Sequence, residues 1–177
     1  MKKLNFTLLI FFIALFSSYA QNVKLAVGMK APDWTLTDAD GKEFTMDSWK
    51  GQVLQVNYVD PDVSDLNDPV NDAIKKAKDV DKIIGPNFKG FGIVDCKSTW
   101  KPNFLIRTIA GNKAKKFETT ILFDYDGTLQ KLWDMPKDNY TVVIIDKNRV
   151  CRAIYKGEIP ASKHEEVIKL ISELEKE

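Results

Sequence analysis

The chain has 177 residues, of which 44% are hydrophobic and 29% charged, and its formal net charge at pH 7 is +1. That length supports one ordinary domain able to bury a full core without disulfide staples. So neutral a balance gives no electrostatic case for nucleic acid or an anionic membrane surface, and both are excluded as expected partners.

Lys2 and Lys3, the apolar run 8–16 and then Ser17, Ser18, Tyr19 and Ala20 form the charged, apolar and small-residue regions of a secretory signal peptide. The run falls short of the ~20 apolar residues that a membrane span needs, and no Cys at its end invites lipidation. The expectation is cleavage after Ala20, a single domain over 21–177 with no membrane span, and a periplasmic or secreted location. Losing Lys2 and Lys3 takes the net charge to −1.

Residues 27–38 read as a lead-in loop, extended by Pro32, and a short strand. Asp40-Gly41 closes it and 44–46 form a second strand, a small hairpin laid against the domain. VLQVNYV, residues 53–59, is a buried strand stopped by Asp60-Pro61. The acidic loop that follows contains Asp60, Pro61, Asp62, Ser64, Asp65 and Asn67, and no thiol. Asp68-Pro69 opens a helix, with Asp68 as its cap, that runs to about Ile84 before Gly85-Pro86. A second core strand over 91–96 completes a parallel βαβ unit. Residues 101–117 read as a helix with Phe104, Leu105, Ile109 and Ala114 as its apolar positions and a weak point at Gly111.

A third parallel strand, 119–123, leads through Asp124-Tyr125-Asp126-Gly127 to a connector at 129–133. Strands 141–146 and 150–155 pair across Lys147-Asn148-Arg149, with Asn148 suited to the left-handed conformation of a tight turn. A final amphipathic helix over 162–175 carries His164, the one histidine, on its polar side. The expected sheet order is 119–123, 91–96, 53–59, 141–146, 150–155, with the last strand antiparallel.

Three patterns suggest chemistry. Asp124-Tyr125-Asp126-Gly127-Thr128-Leu129 has the D-x-D-G-T-L form of phosphatases in which one Asp attacks phosphorus beside Mg²⁺, but no later Gly-Asp-x-x-x-Asp cluster completes a metal site. Asp60, Asp62, Ser64, Asp65 and Asp68 crowd oxygen ligands, yet lack the Gly and Glu positions of a calcium loop; the alternative is an acidic loop favoured by a helix N-terminus. Cys96 and Cys151 fall on strands expected on opposite sides of the sheet, where a Cys is more often a small core residue than a nucleophile. Trp34, Trp49, Trp100 and Trp133 are expected to close the ends of the sheet.

VGMKAPDWTLTDADGKEFT with WKGQVLQVNY, and later TILFDYDGTLQKLW with TVVIIDKNRV, resemble the two halves of the peroxiredoxin and TlpA-like branch of the thioredoxin superfamily. The thiol-free loop, Trp100-Lys101-Pro102 and the DKNRV turn resemble the YtfJ family within it. The resemblance implies an α/β thioredoxin-like fold, a mixed central sheet flanked by helices with an N-terminal β-hairpin extension. It also implies that a dithiol pair would stand at about Val63 and Leu66, and the superfamily's cis-proline at Tyr140; this chain has neither. Thiol–disulfide exchange of the thioredoxin type is therefore not expected. The leading expectation is a non-enzymatic binding or accessory module without cofactor or metal. It would hold an unknown protein or peptide partner at Asp60, Pro61, Asp62, Ser64, Asp65, Asn67, Trp100 and Tyr140. The alternatives are a one-cysteine redox protein using Cys96 or Cys151, and a DxDGT-type phosphatase.

Overall fold

The computed structural model describes residues 24–177, so the expected signal peptide and its cleavage site lie outside the described residues. The apolar run Val53–Val59 becomes β3, the middle of the sheet, with six of its seven residues buried. β4 (Phe88–Asp95) runs parallel to it and β5 (Thr120–Asp124) parallel to β4. β6 (Tyr140–Ile145) and β7 (Cys151–Lys156) complete the expected central order. The direction of β6 differs from expectation: it runs antiparallel to β3 as well as to β7. The chain leaves β5 at the end where β6 begins, so its only course is back along the sheet.

The N-terminal hairpin, β1 (Thr35–Thr37) and β2 (Glu43–Thr45), is not merely laid against the domain. It extends the same sheet, since Thr37 pairs with Phe123, giving the order β2-β1-β5-β4-β3-β6-β7. An aromatic series fixes it there: Trp34 lies 5.9 Å from Phe91, Trp49 4.3 Å from Phe91 and Phe44 5.4 Å from Trp49. Each such pair contributes roughly 0.5–1.5 kcal/mol beyond its buried area.

α1 (Asp68–Asp79), α2 (Asn103–Phe117) and α4 (His164–Leu174) cover one face of the sheet. The other face is closed by the lead-in segment and α3 (Thr128–Trp133), whose Trp133 is fully buried and donates from Nε1 to Pro32 O. α3 replaces the expected connector. α1 stops at Asp79 rather than Ile84, because Ile83 and Ile84 turn back to the carbonyl of Ala77. Its N-cap position is Asn67, not Asp68, and it has no side-chain cap.

α2 passes through Gly111 without a break. Its buried residues are Ile106 and Ala110, one turn apart, whereas Phe104 and Leu105 point to solvent. In the last hairpin the left-handed residue is Arg149 rather than Asn148, because Arg149 N donates to Asp146 O and Asp146 N to Val150 O, making a three-residue loop whose last residue takes the left-handed conformation. His164 opens α4 with Nε2 3.1 Å from Ile159 O. Among the described residues no helix is long and apolar enough to cross a membrane.

Candidate functional site at the strand ends

Each of the three parallel strands ends in a buried carboxylate: Val59-Asp60, Val94-Asp95 and Phe123-Asp124. An Asp at such a point can accept from the backbone amides of the turn that follows. Asp124 takes this furthest, accepting from the amides of Thr128 at 2.7 Å, Leu129 at 2.9 Å and Gln130 at 3.2 Å, and from the Tyr58 hydroxyl at 3.1 Å. It thereby folds the first turn of α3. With both oxygens engaged beneath the surface, the DxDGTL stretch is built as a helix start, not as an exposed nucleophile.

Asp95 accepts from the amides of Lys97 and Ser98, from Ser98 Oγ at 2.6 Å and from Gln130 Nε2 at 2.8 Å. This knits the loop after β4 to α3. Neither Asp95 nor Gln130 was among the expected site residues; the sequence signal is the Asp that directly follows each apolar run.

Asp60, 2% exposed, accepts from the Asp62 amide at 2.7 Å. Burial, with Asp95 and Asp138 nearby, raises its carboxyl above the ordinary range against the opposing pull of Lys101. Asp62 reaches the surface, pairs with Lys101 and accepts from Thr99 Oγ1 at 3.0 Å, joining the loop after β3 to the loop after β4. Asp65 meets Lys113 at 2.6 Å, which holds its carboxyl below the usual range, and Asp68 is shared by Lys113 and Lys116. The acidic residues are thus distributed among lysines, and no cluster of three metal-binding side chains occurs among the described residues.

Of the eight expected site residues, Asp62, Ser64, Asp65 and Trp100 reach solvent. The other four do not form a surface. Pro61 is buried, and Asn67 is buried because it donates to Gly157 O and accepts from Ile159 N, holding the segment between β7 and α4. Tyr140, 4% exposed, turns under α1, where its hydroxyl donates to Asn57 Oδ1 and accepts from Asn71 Nδ2. Val63 and Leu66, where a dithiol would stand, pack inward on the α1 and α4 core.

Trp100 departs most from expectation: it is 84% exposed rather than packed against the sheet. Phe104, 73% exposed, lies one turn along, and the Lys101 ammonium stands 5.9 Å from the Trp100 ring. Pro102 ends the loop as the N-cap of α2, so Phe104 stands in the first turn of the helix and Trp100 on the loop two residues before the cap.

Cys96 follows β4 directly and packs beside Phe123 and Tyr125. Burial, reinforced by Asp95 and Asp124, pushes its thiol up to about 12. Cys151 is fully buried on the opposite face, and burial pushes its thiol up to about 11. Both are free thiols.

A family model described as "Bacterial protein of unknown function (YtfJ_HI0045)" matches residues 31–174. A chloroplastic peroxiredoxin Q from Oryza sativa subsp. japonica is 25% identical over 158 residues, covering 85% of this chain and 69% of that protein. Among solved structures, the thioredoxin domain of a thiol-disulfide oxidoreductase from Bacteroides vulgatus aligns with a TM-score of 0.59 at 14% identity, over 84% of this chain and 99% of that one. The exposed lipoprotein thioredoxin Etrx1 of Streptococcus pneumoniae aligns with a TM-score of 0.58 at 17% identity, over 78% and 99%. These likenesses show a thioredoxin-like fold.

Proposed function

The chain belongs to the YtfJ_HI0045 family of bacterial proteins, and on that premise we propose that it is an exported thioredoxin-fold binding module without catalytic dithiol. Its contact surface is the strand-end pole, where Trp100 and Phe104 would receive an unstructured segment of a partner protein. The observation that carries this reading is the exposure of two aromatic side chains, 84% on the loop before α2 and 73% in its first turn, beside the Asp62–Lys101 pair. Large aromatic side chains held on a rigid element are the groups that contribute most to binding energy at protein interfaces. Asp62 and Lys101 add a polar border to the patch.

Thiol chemistry is the weaker reading. A nucleophilic Cys needs a lowered thiol pKa, and burial moves both cysteines the other way. Export rests on the signal-peptide pattern of residues 1–20.

The test is site-specific photo-crosslinking in the exported full-length chain, with the photoreactive residue at Trp100 or, as control, at Lys169 on α4. Discrete adducts from position 100 that vanish in the Phe104→Ala background support the surface. Identical patterns from both positions, or none from 100, refute it.

A further inference from the structure

β4 turns Phe88, Gly90, Gly92 and Val94 toward the helices, so between Phe88 and Val94 no side chain from this strand fills the space under α1 and α2. A cleft of about 180 Å³ remains there. Ile74 of α1 and Ile106, Ile109, Ala110 and Phe117 of α2 form its apolar walls. A void of roughly 150 Å³ with wholly apolar walls admits benzene and stays dry. This cleft differs in having a polar floor.

The floor is a network of four uncharged side chains. Asn57 Nδ2 donates to the Phe91 carbonyl at 3.2 Å, which fixes the orientation of that amide. Its Oδ1 accepts from Gln55 Nε2 at 3.2 Å and from the Tyr140 hydroxyl at 3.2 Å. Gln55 Nε2 also donates to Asn71 Oδ1 at 2.9 Å, and Asn71 Nδ2 donates to the Tyr140 hydroxyl at 3.1 Å. Each amide nitrogen has two hydrogens. Both of Gln55 are engaged; Asn57 and Asn71 each keep one. Gln55 Oε1 accepts no hydrogen bond among the described residues, and it lies 3.2 Å from where a Cβ on Gly90 would stand.

The cleft therefore offers two unused N–H donors and one unused carbonyl acceptor beneath apolar walls. Two of the lysines at its rim are paired, Lys75 with Asp79 and Glu118, each at 2.8 Å, and Lys113 with Asp65 and Asp68, while the Lys89 ammonium stands 5.7 Å from the Trp49 ring. Lys78 stands exposed at the lip. A buried polar network is costly when it is partly unmet, and two glycines on one strand face forgo packing that larger residues would supply.

We propose that the α1–α2 cleft is a binding site for a small uncharged molecule whose carboxamide-like head meets Gln55, Asn57 and Asn71 while its apolar body lies over Gly90 and Gly92. The carbonyl of such a head accepts from the two free amide hydrogens, and its N–H donates to Gln55 Oε1. The site lies under the helices and reaches Pro61 and Ser64 of the loop after β3, but neither Trp100 nor Phe104 lines it.

The experiment is a titration of the mature protein with benzamide, benzoate and toluene, followed by ¹⁵N NMR of the Gln and Asn side-chain amides and of the Gly90 and Gly92 backbone. Benzamide is expected to shift the amide signals of Gln55, Asn57 and Asn71 and to bind about ten-fold tighter than either comparison compound, the equivalent of one good hydrogen bond to an uncharged head. Gly92→Val places its branches in the cleft, its Cβ making an ordinary 3.4 Å contact with Ile121, and should abolish those shifts in a folded protein. Asn71→Ala leaves the cleft open and should weaken benzamide while leaving toluene unchanged. Benzoate binding best, which would assign the cleft to an anion drawn by Lys78, overturns the proposal. So does toluene matching benzamide, an absence of shifts with all three compounds, or benzamide binding that survives Gly92→Val.

Discussion

Replacing Asp124 by Asn keeps the shape of the side chain and removes its charge. Oδ2 accepts three of the four hydrogen bonds, from Leu129 N, Gln130 N and Tyr58 Oη, and Oδ1 accepts the fourth from Thr128 N. An amide can put its oxygen where Oδ2 was; its NH₂ then faces the Thr128 amide, donor against donor. One hydrogen bond to a charged group is lost, worth about 1.5–3 kcal/mol, and those that remain lose their charge assistance. The expected destabilisation is about 3 kcal/mol, which at a urea m-value of roughly 1–3 kcal/mol/M lowers the midpoint by at least about 1 M. Tyr58→Phe, which removes one donor, should cost roughly 1 kcal/mol. The double variant should cost less than the sum of the two, since both changes act on one network. Urea unfolding followed by circular dichroism on all four proteins measures this. A loss below about 0.5 kcal/mol for Asp124→Asn, the range of an ordinary surface change, would refute the assignment of this carboxylate as the start of α3.

Cys96 and Cys151, with thiols near 12 and 11, should resist alkylation in the native protein at neutral pH and both label after denaturation, read by mass spectrometry. The raised carboxyl of Asp60 means that the folded state binds a proton more tightly than the unfolded chain, so wild-type stability falls as pH rises from the unfolded value into the raised range. Asp60→Asn should remove that slope, so its melting temperature should gain on wild type as the pH rises above the ordinary carboxylate range; parallel curves would count against it. Asn67→Ala deletes both bonds to the segment between β7 and α4, and should cost about 2 kcal/mol in the same urea assay.

The strands were legible because each is an apolar run closed by Asp, Gly or Pro, and sheet order followed from the βαβ succession. What failed was direction and face. β6 was read without regard to which end of the sheet α3 leaves free. α2 rests on two residues, Ile106 and Ala110, because the glycines beneath it leave a cleft, so its apolar pattern points outward through Phe104 and Leu105 as much as inward. Tyr140, expected just before strand 141–146, is the first residue of β6, opposite Val59, and its ring follows the pleat to the interior, a matter of face that position alone does not fix. The length of the last turn is equally silent in sequence: a three-residue loop puts the left-handed residue at Arg149 rather than Asn148.

The lead-in segment bears on how this sheet can meet other chains. Cys151 donates to Met29 O and accepts from Gly28 N, Ala31 N reaches Arg149 O, and Lys30 bridges to Val150, so the beginning of β7 is already covered by the chain's own backbone. The opposite border is β2, three residues long and followed at once by a turn capped by Thr45. Short or shielded borders are how sheets avoid templating on one another. A guest segment therefore finds little room to add itself as an eighth strand at β2 or at the beginning of β7.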